Sequence, residues 1–171
     1  MPAASSGVYY FLRIDDPHIP GSCKEQGHDD GWIQIESWDA SFSNSVDVTK
    51  STEGTSGVCQ ASPFSAMKNR DKASPLIAKQ VLLGGRVGKV TVEGVRTGQD
   101  ATEKPIFMRW IFQNCVLTGY HCSMSDAASP EPISFSYANV DFEYKELDAA
   151  GVLGSPIGAK FNVKEQTGEG R

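Results

Sequence analysis

The segment PIFMRWIFQNCVLTGYH, residues 105–121, constrains this chain more than any other feature. Its β-branched and aromatic residues make it long and strongly β, with no helical spacing of apolar positions. Other segments share that character. VYYFLRI at 8–14 is apolar in both parities, which predicts a strand partly covered on both faces. It ends at Asp15-Asp16-Pro17, and the breakers Pro17, Pro20, Gly21, Gly27 and Gly31 mark a loop over 17–31. WIQIESWDASF at 32–42 alternates, with Ile33 and Ile35 opposite Gln34 and Glu36. Trp38 and Phe42 then take the other parity, and a bulge near Ser37 reconciles them, because one inserted residue flips the facing. VGKVTVEGV at 87–95 alternates as well. EPISFSYANVDFEYKE at 131–146 changes parity near Asn139, which predicts a second bulge.

One helix is predicted, over 73–85. Ser74 suits the N-cap, Pro75 the first helical position and Gly84-Gly85 the stop; Leu76, Ile77, Val81 and Leu83 form an imperfect apolar stripe. Residues 43–62 are mostly Ser, Thr, Gly and Asn, without core periodicity, and read as a projecting loop. Residues 147–171 read as a Gly-rich C-terminal extension, with a short apolar segment at 159–163. The fold class is mainly β: a small β-barrel of two packed antiparallel sheets with one short α-helix at its side. At 171 residues the chain reads as a single domain, 1–171, with its core barrel over 8–146.

Composition narrows the function. A net charge of −5 argues against a nucleic-acid partner, which calls for a basic stripe. Neither a secretory leader nor a membrane-length apolar run is present, so synthesis and folding in the cytoplasm without membrane insertion are expected. Cys23, Cys59, Cys115 and Cys122 form no CxxC and read as free thiols.

No chemistry-bearing constellation emerges. His28-Asp29-Asp30, between two glycines, reads as a solvated acidic turn and not a metal site. His18 and His28 lie in a polar loop. His121 and Cys122 are adjacent on an extended segment, where neighbours face opposite sides and cannot act as base and nucleophile. Gly84-Gly85-Arg86-Val87-Gly88 follows a helix, whereas a phosphate-binding loop precedes one. Trp32, Trp38 and Trp110 lack basic interleaving and read as core. No cofactor is expected, and no enzymatic activity.

Four segments together resemble the Hcp family, the hemolysin-coregulated inner tube protein of type VI secretion. They are Tyr10 to Asp15; Gly27-His28-Asp29-Asp30 leading through Ile33-Gln-Ile35 to Ser37-Trp38; Asp71-Lys72-Ala73-Ser74-Pro75-Leu76 at the helix start; and Val116 to Ser123 with Pro132 to Tyr144. Lys160 to Lys164 resembles a short final strand of many members. The most specific match is the helix-start motif, carried by Asp71, Lys72, Ser74 and Pro75. The likeness spans roughly residues 8–164, with Phe64-Ser-Ala-Met67 departing from the family's usual Phe-Thr-Lys-Tyr.

The resemblance implies a protomer that closes into a homohexameric ring around a hydrophilic pore. Rings stack into a tube inside a contractile sheath, capped by a spike protein of the VgrG type, and the tube leaves the cell carrying small effector proteins. By position, Trp38, Asp39 and Ala40 are candidates for the lumen and its cargo, and Ser45, Val46, Asp47, Val48, Thr49 and Lys50 for ring stacking. The alternative is a stand-alone β-barrel that binds a small apolar ligand, which requires an open apolar interior.

Overall fold

The computed structural model describes residues 7–46, 57–97, 104–124 and 130–170. Among these the chain forms strands β1 (Val8–Asp15), β2 (Ile33–Asp39), β3 (Phe42–Ser45), β4 (Val58–Ala61) and β5 (Phe64–Asn69), then helix α1 (Ser74–Leu83). Strands β6 (Arg86–Arg96), β7 (Ile106–Tyr120), β8 (Pro130–Ser136), β9 (Asn139–Leu147), β10 (Leu153–Asn162) and β11 (Thr167–Gly170) follow. Six strands close on themselves in the order β7-β6-β1-β2-β5-β8, with β8 returning to β7, every neighbour antiparallel. Closure leaves no open edge in the barrel. Strands β9, β10 and β11 extend from β7 as a flap, and β3 and β4 form a separate hairpin.

The length of β7 explains this layout. Met108–Gln113 pair with β9, Val116–Tyr120 pair with β8, and Asn114 between them turns left-handed at φ 53°. Asn tolerates that conformation better than most residues. One strand therefore belongs to barrel and flap at once. The expected bulge near Asn139 is in fact a corner: the run 131–146 is two strands, and Ala138 N–H donates to the Gln113 carbonyl at 3.1 Å where the chain leaves the barrel for the flap. The bulge near Ser37 is present, since Ile35 pairs with Lys68 and Ser37 with Met67.

The barrel interior is filled by alternate residues. Phe64, Ala66 and Lys68 of β5 stand opposite Phe135, Ile133 and Glu131 of β8. Leu12, Ile14, Ile33, Val90, Val92 and Phe112 complete the packing. Phe64, Phe112 and Phe135 meet at centroid distances of 5.0–5.1 Å. Each such ring contributes about 2–3 kcal/mol by leaving water. Trp32, Trp110 and half-buried Trp38 pack as core residues.

Both faces of β1 are covered, as its two apolar parities predict. Tyr10, Leu12 and Ile14 face the interior cluster, while Phe11 lies outside with Trp32 and Val95 under the 17–31 loop. The loop must press close here: a Cβ on Gly21 would stand 2.2 Å from the Trp32 carbonyl oxygen.

Six expectations need correction. His28 is not solvated; it is buried at 5 % exposure, because Phe11 and Trp32 form a slot for its ring and Glu93 supplies an acceptor. Asp29 and Asp30 are exposed. Ser74 is not the N-cap; Ala73 holds that position without a side-chain cap, because the Ser74 hydroxyl is drawn into the barrel. Of the expected helical stripe only Ile77 is fully buried, and Leu76 and Leu83 are exposed. The 43–62 loop begins and ends as the β3–β4 hairpin, and the Gly-rich extension contains β10 and β11. Backbone pairing forms these strands without any apolar alternation. Strand β5, for which no strand was expected, is buried at Phe64, Ala66 and Lys68.

Candidate functional site

The helix-start motif is the centre of a buried polar network. The Phe64/Phe135 and Ala66/Ile133 pairs are followed one step further by Lys68 and Glu131, both at 0 % exposure. Lys68 Nζ lies 3.0 Å from Glu131 Oε2, 2.9 Å from Asp71 Oδ1 and 2.9 Å from Ser74 Oγ. Ser74 donates its hydroxyl to Glu131 Oε2 at 2.5 Å and accepts the Asp71 N–H at 3.1 Å. Arg70 Nε donates to Glu131 Oε1 at 3.0 Å. Asp71 accepts the Ala73 and Ser22 N–H groups. The motif thus fastens α1 to the end of the barrel by charge and hydrogen bonds. Burial pushes the Glu131 carboxyl up, but Ser74, Lys68 and Arg70 together outweigh it and hold it at about 2. Lys72 and Pro75, the other motif members, are exposed.

A second buried cluster seals the outer face of β1, β6 and β7. His28 Nε2 hydrogen-bonds Glu93 Oε2 at 2.8 Å, and Arg109 Nε donates to Glu93 Oε1 at 2.7 Å. Burial raises the Glu93 carboxyl, yet His28 and Arg109 bring it below the usual range. The sequence reading missed this cluster, since Glu93 and Arg109 become neighbours only through the β6–β7 register.

The lumen candidates split. After the bulge, Trp38 pairs with Ala66 and turns inward, with its ring stacked on Phe64 at 5.7 Å and edge-on to Tyr10 at 6.0 Å. Asp39 pairs with Ser65 and is exposed, while Ala40 is half-buried at the strand end. Ser65 in turn pairs with Ser134. Asp39 therefore stands on the outer face of the β2–β5–β8 sheet, with Gln34, Glu36 and Ser136, which are also exposed. Asn69 donates to Glu36 at 2.7 Å, and the Thr118 and Ser134 hydroxyls meet at 3.1 Å. This face is polar and open to water, with Lys24 and Arg70 at its edge beside Gln34 and Glu36.

Of the stacking candidates, Ser45 ends β3 and Val46 follows it, both exposed on the hairpin; Asp47, Val48, Thr49 and Lys50 lie outside the described residues. Among the described residues no three His, Cys, Asp or Glu side chains are placed to hold a metal ion, and His121 and Cys122 are exposed neighbours past the end of β7. Burial pushes the Cys115 thiol up to about 12, which leaves it a packing residue. Among the described residues, no helix is long and apolar enough to cross a membrane.

A closed, filled barrel whose buried charges anchor helix α1, and whose strand faces stand open to water, defines a structural module. Comparison with known proteins agrees with that class. The family described as "Type VI secretion system effector, Hcp" matches residues 11–144, so the chain belongs to the Hcp family of type VI secretion proteins. A solved type six secretion system protein superimposes with a TM-score of 0.84 at 20% identity, covering 95% of this chain and 100% of that one. Hcp1 from Salmonella typhimurium gives 0.75 at 18% identity, covering 95% and 99%. A type VI secretion system effector from Yersinia pestis gives 0.64 at 21% identity, covering 90% and 99%. A sequence search of curated proteins returned no significant match. The role that goes with membership is that of a secreted type VI tube protein.

Proposed function

We propose that this chain is the repeating subunit of a type VI inner tube. Six copies close into a ring, rings stack, and the tube is expelled by a contractile sheath behind a spike of the VgrG type. Small effector proteins travel in the lumen. The observation that supports this reading is the polar outer face of β2, β5 and β8 around Asp39, a wide strand surface with hydroxyl, amide and carboxylate groups turned to water. Six such faces turned inward would make a wetted bore. We place cargo contact at Asp39 and ring stacking at the β3–β4 hairpin with residues 45–50. A heterologous contact closes into a ring when its rotation divides a full turn, and the same protomer then needs no special end subunit. The barrel interior is filled by Phe64, Phe112, Phe135 and their neighbours, which deprives a ligand barrel of the open centre it needs. Size-exclusion chromatography with light scattering tests the proposal: about six times the protomer mass of 18.5 kDa is expected. A protomer mass that persists at high concentration would refute it.

A further inference from the structure

The polar outer face of β2, β5 and β8 has an apolar centre. On β5 the even positions Phe64, Ala66 and Lys68 are buried, so Ser65, Met67 and Asn69 turn outward. Met67 pairs with Ser37 of β2 on one side and with Pro132 of β8 on the other, and both Met67 and Pro132 are half-buried. The next row of the face is Asp39–Ser65–Ser134, two residues or about 7 Å along the strands. The row on the other side is Glu36–Asn69, joined by a side-chain hydrogen bond of 2.7 Å. Hydroxyls, an amide and two carboxylates therefore surround the thioether and the proline ring. Lys24 and Arg70 stand at the Glu36 end, in a recess shared with Gln34 and Asn69. Asp39 is at the opposite end of β2, and among the described residues no cation pairs with it.

Resting on the ring reading above, we propose that Met67 with Pro132 is the point at which the bore holds its cargo, and that the cargo presents there an apolar side chain with a basic neighbour reaching Asp39. A wall of hydroxyls and amides exchanges hydrogen bonds with water at little net gain. An exposed ion pair is weak and screened by salt. Covering Met67 and Pro132 removes apolar surface from water, which needs no partner in exchange. The thioether is unbranched and polarizable, so one methionine fits side chains of different shape. A specific subunit contact covers roughly 800 Å² on each partner around an apolar core. One Met and one Pro make too small a core for that and suit a single side chain of a protein passing through. A closed ring repeats the patch around the bore, and a cargo that touches two patches at once is held more tightly than by either alone.

The test uses the full chain, isotopically labelled at its methionine methyl groups for NMR, with the mass of the same sample measured by light scattering. The probe is acetyl-Gly-Lys-Phe-Gly-amide, and acetyl-Gly-Lys-Ser-Gly-amide is its control. Met124, at 85% exposure, is the internal standard, because indiscriminate apolar binding would strike it first. Met67→Leu assigns the Met67 signal. The Phe peptide should shift the Met67 methyl signal and leave Met124 in place. The Ser peptide should need about tenfold more for the same shift, the effect of covering part of a phenyl ring. With a fluorescein tag on the Phe peptide, anisotropy should show Met67→Ser weakening binding about tenfold and Met67→Leu retaining it, both with unchanged circular dichroism. Asp39→Asn should weaken the two peptides alike, since both carry the lysine. No shift at Met67, an equal shift at Met124, equal potency of the two peptides, or wild-type binding by Met67→Ser would each overturn the Met67 contact while the ring mass stands. A protomer mass in the unliganded sample removes the ring reading itself, and the bore with it.

Discussion

Replacing Lys68 by Met tests whether the helix is anchored by charge. The substitution keeps the side chain's length and removes three contacts of 2.9–3.0 Å, to Glu131, Asp71 and Ser74. Glu131, at 0 % exposure, keeps the Ser74 hydroxyl and Arg70, whose side chain is 41% exposed. Removing one partner of a buried pair costs about 3–5 kcal/mol, and the remaining arginine places Lys68→Met near the lower end, about 3 kcal/mol. The titration of Glu131 gives a similar scale: its carboxyl falls from 4.5 to about 2, a gap worth about 3 kcal/mol for all its partners together. The folded pKa is the depressed one, so this stabilisation is complete above pH 4.5 and is lost as pH falls toward 2. Urea denaturation followed by circular dichroism, at fixed protomer concentration, should therefore show a large deficit at neutral pH that narrows in acid. Thermal melts should fall by about 6–12 °C at pH 7. Adding Glu131→Leu to Lys68→Met should recover part of the loss, because the stranded carboxylate goes with it. A deficit under about 1 kcal/mol at pH 7, or one that does not change with pH, would show that the network does not anchor the helix.

Other perturbations reach other parts of the molecule. His28→Phe keeps an aromatic ring in the Phe11–Trp32 slot but leaves Glu93 Oε2 buried without its 2.8 Å partner; a loss of about 1–3 kcal/mol in urea denaturation is expected. Because His28 helps hold the Glu93 carboxyl below its usual range, the wild type should lose stability as pH falls through that carboxyl's folded pKa, and His28→Phe should lose less there. Asp39→Arg, at an exposed position, should leave the protomer's unfolding free energy within about 0.5 kcal/mol of wild type and reduce effector retention in pull-downs. Unchanged retention would remove Asp39 from the cargo surface. Excising residues 47–56 while keeping β3 and β4 should preserve rings by light scattering and shorten tubes in electron micrographs; loss of the rings would show that this segment closes them.

The strands whose side chains alternate between core and water were legible in the chain alone. Ile33 and Ile35 against Gln34 and Glu36 gave the facing of β2, and the parity change at Trp38 located its bulge. The helix stop was equally local, since Gly84 takes φ 61° where a Cβ is disfavoured. The other parity change, at Asn139, was visible but ambiguous: a bulge and a corner leave the same mark on the alternation, and only the pairing of β7 with both β8 and β9 decides between them. Strands β3, β4, β10 and β11 left little trace, because backbone hydrogen bonds to a neighbour need no apolar pattern.

The helix-start motif was readable as a family mark, but its physical work was not. Asp71 and Ser74 are local; Lys68 reaches Glu131 across 63 residues, and His28 reaches Glu93 across 65. Local spacing and alternation record what each residue needs from its immediate neighbours, and so they settled the β class, helix α1 and the polar strand face. Which distant charges share a buried site depends on barrel closure and strand register, and those exist only once the whole chain has folded.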